Sequence, residues 1–188
     1  MKKRIIFGIM GTIGSGKSTA SSCFSKKHWK VIHVDALGHA LLQKKEIQKK
    51  LMRTFGKDVL KNGKIFREKL GKIVFTNRNM LQKMNKIMHP ILKREVEKQL
   101  HSSKNIVLDC ALLVPLRLAQ KCDVIIEIIT PQKMIFRRLQ KKYTQTQISF
   151  ITQMQKNNIR ADYVILNSDS KKELSRDIRK IITFLYAS

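Results

Sequence analysis

Short, continuously apolar runs punctuate this chain and are separated by longer stretches with helical spacing. Ile5-Ile6-Phe7-Gly8-Ile9-Met10 is the first run and reads as a buried strand. A stretch able to form a helix, Ser18 to Lys27, follows. Val31-Ile32-His33-Val34 predicts a second strand ending at Asp35; Asn105 to Asp109 predicts a third, Val124 to Ile129 a fourth and Tyr163 to Leu166 a fifth. A helical stretch from Lys171 to Tyr186 closes the sequence. Strands with no polar face, joined through helices, predict a parallel sheet covered on both sides. Ligands of such sheets bind beyond the carboxyl ends of the strands.

One interval breaks this rhythm. Ala36 to Lys104 is mostly helical in pattern, with Ile87, Ile91 and Val96 in helical register and Pro90 expected at a helix start. The expected organisation is a single α/β domain over the 188 residues. Its core would be residues 1–40 and 103–188, its helical insertion 41–102 and its short helical lid 137–157, bounds read from the pattern. An insertion at the mouth of the sheet can hold a second substrate, or it can simply cap the sheet.

The residues after the first strand carry the most specific chemistry. Gly11-Thr12-Ile13-Gly14-Ser15-Gly16-Lys17-Ser18-Thr19 satisfies G-x-x-x-x-G-K-[ST] between a predicted strand and a predicted helix. There the backbone turns tightly and aims several N–H groups of Gly14 to Thr19 at phosphate oxygens, helped by the positive end of the new helix. Lys17 can reach the β- and γ-phosphates, and the Ser18 hydroxyl can take one Mg²⁺ position. The motif implies binding of a nucleoside triphosphate.

Two carboxylates stand at strand ends on the same side as this loop. Asp35 can accept a proton from a substrate hydroxyl, hold Mg²⁺ through water, or cap the following helix. Asp109 ends its apolar run in the manner of a Walker B acid, a second candidate for Mg²⁺ through water. Arg137, Arg138, Lys141 and Lys142 form a cationic stretch on the helix after Pro131, able to close over phosphates. His33, His39 and His101 have no partner at catalytic spacing and read as structural. No Ser-His-Asp, Cys-His or zinc constellation can be assembled.

Charge changes the picture little. Lys and Arg number 39 against 13 acidic residues, a net +26, which raises the question of nucleic acid. The cations run from Lys2 to Lys180 without gathering, and aromatic residues are 6%, so stacking platforms are scarce. Compositional drift is the favoured reading, with nucleic acid not an expected partner. Cys23, Cys110 and Cys122 lack metal-ligand spacing and read as free thiols in a reducing compartment. No apolar run approaches the roughly 20 residues that span a bilayer, and a cytoplasmic monomer is expected. From these residues alone, any small-molecule P-loop kinase, or a P-loop protein holding nucleic acid on its basic surface, stays open.

Several segments in order resemble the dephospho-coenzyme A kinase family. Gly8 to Thr19 resembles its opening, Val31-Ile32-His33-Val34-Asp35 its second strand, and Asn62-Gly63-Lys64-Ile65-Phe66-Arg67 its insertion. Met84-Asn85-Lys86-Ile87-Met88-His89-Pro90 is similar to its His-Pro helix signature, and Ala161-Asp162-Tyr163-Val164-Ile165 with Asn167 to its final strand and following loop. The resemblance implies a P-loop NTPase fold and transfer of the γ-phosphoryl of ATP, with Mg²⁺, to the ribose 3′-hydroxyl of dephospho-coenzyme A. It makes Asp35 the base and Arg137, helped by Lys141, the charge stabiliser. It puts Arg67, Asn85 and His89 in the acceptor site and Asn167 near the adenine. The family usually has Asp where His33 stands, Arg near His39, and a Pro-Leu-Leu-x-Glu segment where this chain has Ala111-Leu112-Leu113-Val114-Pro115.

Overall fold

In the computed structural model, which describes residues 4–75, 77–156, 159–168 and 170–186, the apolar runs become one parallel sheet. The elements in chain order are β1 (Ile6–Met10), α1 (Lys17–Ser21), β2 (Trp29–His33), α2 (Val34–Leu41), α3 (Lys45–Phe55), β3 (Leu60–Lys61), β4 (Lys64–Ile65), α4 (Arg67–Val74) and α5 (Arg78–Leu100). They continue with β5 (Asn105–Asp109), β6 (Val124–Ile129), α6 (Gln132–Leu139), α7 (Gln145–Met154), β7 (Tyr163–Leu166) and α8 (Lys171–Tyr186). The five long strands lie in the order β2-β5-β1-β6-β7, so the strand that feeds the phosphate loop is the central one. Ile9 pairs with Asp109 on one side and Ile126 on the other.

Side chains alternate across the sheet, and each face has its own cover. Ile6, Ile32, Ile106 and Leu108 pack with Leu41, Leu51, Leu70, Leu92 and Val96 of the insertion helices. Phe7, Ile9, Val107, Ile126 and Ile165 pack with Ala20 of α1 and Leu174 and Ile178 of α8. The rings of Phe7, Phe24 and Trp29 meet on this second face with centroids 5.0–5.3 Å apart, in the tilted and edge-on arrangements aromatic rings favour. The insertion is therefore both a layer of the core and the wall beside the strand ends.

Four details differ from the sequence pattern. The first helix ends at Ser21, after which the chain tightens into turns with Cys23 N–H bonded to Ala20 O and Phe24 N–H to Ser21 O. Asp35 is not the end of a strand; β2 stops at His33, and Asp35 stands in the first turn of α2 with His33 as its N-cap. Pro90 is inside α5 rather than at its start. The true start is Asn77, whose side chain accepts from Asn79 N–H and Met80 N–H, and burial of Met88, Leu92, Val96 and Leu100 carries the helix past the proline's missing bond. The insertion also contains the β3–β4 hairpin, two residues to a strand and too short to leave a period in the sequence. Asn62 and Gly63 turn it at positive φ. Among the described residues no helix is long and apolar enough to cross a membrane.

Gly8 is where the central strand is tightest. A Cβ there would stand 2.8 Å from both Cys122 Sγ and Leu113 Cδ2. Gly8→Ala should cost about 1–3 kcal/mol in urea denaturation through overpacking. Adding Cys122→Ala should recover part of the loss; no loss in the single mutant would show that the neighbours yield freely.

Candidate active site

Positive φ at Gly14 (75°) and Gly16 (106°) lets the loop after β1 curl with its amides outward. Gly16 also has no room for a side chain, because a Cβ would stand 2.6 Å from Asn167 Nδ2. The loop carbonyls are turned inward and bonded. The Ser15 carbonyl accepts from Thr130 Oγ1 at 3.0 Å and Asn167 Nδ2 at 2.6 Å, all three residues being buried. Arg138 donates to the Gly14 carbonyl at 2.9 Å, and Gln155 Oε1 accepts from the Ile13 N–H at 2.7 Å. Lys17, only 7% exposed, reaches back to the Thr12 carbonyl at 3.2 Å. Beside the loop is a cavity of about 290 Å³ lined by Gly14, Lys17, Ser18, Thr19, Arg138 and Asn167, among others.

The carboxylates gather at the next strand ends. Asp109 is buried, and its Oδ2 accepts from Ser21 Oγ at 3.1 Å and from His33 Nδ1 at 2.9 Å. A carboxylate only accepts, so His33 carries its proton on Nδ1. Register explains the meeting, because His33 and Asp109 are paired at the ends of β2 and β5. Asp35 is open to solvent on one side, yet the cleft walls desolvate its carboxyl and hold its pKa above the ordinary 3.8. Attraction to Lys17 opposes this shift and repulsion by Asp109 adds to it, while the Ala111 N–H hydrogen-bonds the charged form. Burial first, then the nearby Asp35, pushes the Cys110 thiol up, so it stays protonated and inert.

The remaining expected site residues divide into three places. Arg67, exposed at the start of α4, lies 2.9 Å from His39 Nε2. Asn85 and His89 are one turn apart on one face of α5 and form no hydrogen bond with the other site residues among those described. His89 Nε2 is buried without a partner among the described residues, and burial holds the pKa of this imidazole below 6.5. On the lid, Arg138 touches the phosphate loop, whereas Arg137 and Lys141 are exposed and make no described bond. Lys142 sits over the Tyr143 ring. Position 157, the far end of the expected lid, lies outside the described residues.

Sequence reasoning read His33 and His39 as structural, and both are bonded to site residues. Thr130 and Gln155 belong to no motif in the sequence. Thr130 follows β6 directly, a strand-end position that could have marked it; Gln155 gave no signal.

A phosphate loop on the central strand, an acid across from its lysine and a helical wall beside both define a small-molecule kinase of the P-loop class. Within that class the chain belongs to the dephospho-CoA kinase family, whose model (CoaE) matches residues 5–173. It is similar to the dephospho-CoA kinase of Fusobacterium nucleatum, 33% identical with 94% of this chain and 96% of that one covered. The fold is shared with TT1252 from Thermus thermophilus (TM-score 0.73, 24% identity, 98% and 99% covered). It is shared also with dephospho-CoA kinase from Campylobacter jejuni (TM-score 0.67, 23% identity, 97% and 98% covered). The chain is a phosphotransferase of an ATP-using family.

Because Asp35 has a raised pKa in the folded protein, its ionised form costs stability above the unfolded value of 3.8. Asp35→Asn should raise the melting temperature of the ligand-free protein at neutral pH, and the gain should vanish as the wild-type carboxyl protonates at lower pH. An unchanged or lowered neutral-pH melting temperature would contradict the desolvation of this group.

Proposed function

We propose that this chain transfers the γ-phosphoryl group of ATP to the ribose 3′-hydroxyl of dephospho-coenzyme A, yielding coenzyme A and ADP. The observation that carries the reading is the desolvated Asp35 standing in the field of Lys17 at the mouth of the phosphate loop. Gly14 to Thr19 hold the triphosphate through backbone N–H groups, and Lys17 neutralises its β- and γ-oxygens. Asp35 orients the 3′-hydroxyl and takes its proton as the oxygen bonds to the γ-phosphorus. The bond from that phosphorus to the bridging oxygen breaks, and its electron pair leaves on ADP. Arg138, already against the loop, and Arg137 on the same helix stabilise the charge of the transferring group.

The residues present suit Mg²⁺. The Ser18 hydroxyl is exposed at the cavity and would take the ion directly, and Asp109, whose Oδ2 is engaged by Ser21 and His33, would hold it through water. The ion would supply charge neutralisation on the β- and γ-phosphates. Arg67, Asn85 and His89 supply the acceptor side from the insertion, and Asn167 backs the loop next to the nucleotide. The +26 surface serves to steer polyanionic substrates rather than to hold nucleic acid. The three cysteines are free, with burial pushing Cys122 up to about 12, which fits a reducing compartment.

A coupled assay of ADP release with ATP and dephospho-coenzyme A tests the reading, with Lys17→Ala as the dead control. Asp35→Asn should lower kcat by ~10² or more and leave the KM for ATP nearly unchanged. Full turnover in that mutant would remove Asp35 from the mechanism.

The acid limb of the kcat profile gives a further check. A base must be deprotonated to act, so kcat should fall as pH drops through a value above the ordinary 3.8. A limb at or below 3.8 would mean that another group limits the rate.

A further inference from the structure

Where the insertion faces the lid, an arginine meets an imidazole that also feels the charge of a lysine. A guanidinium can only donate, so the 2.9 Å contact between Arg67 Nη2 and His39 Nε2 makes Nε2 the acceptor. His39 is then neutral, with its proton on Nδ1. Partial burial holds its pKa below the ordinary 6.5, and the charges of Arg67 and Lys142 push the same way. Asp35 stands one turn earlier on α2, and α5 packs on α2 through Leu92 beneath Gly38; it is burial and the two cations that lower the pKa of His39. Among the described residues neither Arg67 nor Lys142 has an acidic partner. The lid turn is seated against the insertion by the Phe75 and Tyr143 rings, edge-on with centroids 6.4 Å apart. The two cations are thus held near one imidazole without a counter-charge, although the chain elsewhere pairs Lys69 with Asp58 and Lys72 with Glu68.

We propose that Arg67 and Lys142 form an anion subsite for the diphosphate of the acceptor, and that His39 is the positioning residue that aims Arg67 into it. The inference rests on the acceptor proposed above, whose ribose hydroxyl and diphosphate belong to one molecule. Neutral His39 fixes the guanidinium by accepting one of its protons and leaves the other donors for phosphate oxygens. Protonated His39 cannot accept, and it repels Arg67. The subsite therefore works above the pKa of His39 and fails as pH falls through it, below 6.5.

Steady-state kinetics with dephospho-coenzyme A as the varied substrate, from about pH 8 to about pH 5.5, test this on wild type, His39→Ala and His39→Gln. His39→Ala should raise the acceptor KM about tenfold near pH 8, with kcat and the KM for ATP within about twofold. The Gln Oε1 can still accept from Arg67 but does not titrate. His39→Gln should therefore keep a low KM near pH 8 and lack the rise in acceptor KM that wild type shows towards acid. An active His39→Ala enzyme with unchanged acceptor KM, or a wild-type acid rise retained in His39→Gln, overturns the proposal. If wild type does not phosphorylate dephospho-coenzyme A, the acceptor assignment fails, and inorganic pyrophosphate then probes the subsite directly. Pyrophosphate should raise the pKa of His39, read from its ring nitrogen chemical shifts, in wild type and not in Arg67→Ala. A pKa that does not move in wild type overturns the subsite itself.

Discussion

A loop that must offer its N–H groups to phosphate has to send its carbonyls somewhere else. That requirement organises this molecule. The Ser15 carbonyl is met from behind by Thr130 at the end of β6 and Asn167 at the end of β7. Arg138 of α6 takes the Gly14 carbonyl, and Gln155 at the end of α7 takes the Ile13 N–H. A buried carbonyl left unmet costs roughly 1–3 kcal/mol, which ties Thr130 and Asn167 to Ser15, while the exposed Arg138 and the half-buried Gln155 fasten the neighbouring loop residues Gly14 and Ile13. The strand order makes the arrangement possible: β1 lies directly beside β6, and β7 is one strand further. The donors to Ser15 therefore come from strand ends at one level.

Much of this architecture is legible in the sequence. Each of the five strands carries a short apolar run, and the motif from Gly11 to Thr19 locates the strand ends that matter. Boundaries were harder because capping competes with pattern. Val34 is apolar and continues the pattern of β2, yet it begins a helix, and the end of β2 at His33 rather than Asp35 follows from that choice. Pro90 misled for a related reason: a local rule about helix starts gave way to an apolar face that continues on both sides of it. Contacts between distant residues leave no local trace. His33 with Asp109, His39 with Arg67 and Gln155 with Ile13 are 76, 28 and 142 positions apart, and only the folded register brings them together.

The site concentrates what the rest of the chain avoids. The buried side-chain atoms without a partner among the described residues are Ser15 Oγ in the loop and His89 Nε2 on α5. Asp35, Asp109 and Lys17 share one cleft, where burial disfavours the charge on Asp35 and Asp109 disfavours it further. Stability elsewhere must cover these costs, and it comes from the two apolar faces of the sheet. The insertion serves both needs, since α5 covers the sheet with one face and carries the half-buried Asn85 and His89 beside it.

The crowding at Gly8 also has a consequence for inheritance. Leu113 belongs to the segment after β5 and Cys122 to the one before β6, and both press on the same point of β1. These three positions share one volume, so they can change only as a set: a larger residue at 8 needs a smaller one at 113 or 122. Among descendants of this sequence, substitutions at these three sites should be correlated even though they lie far apart along the chain.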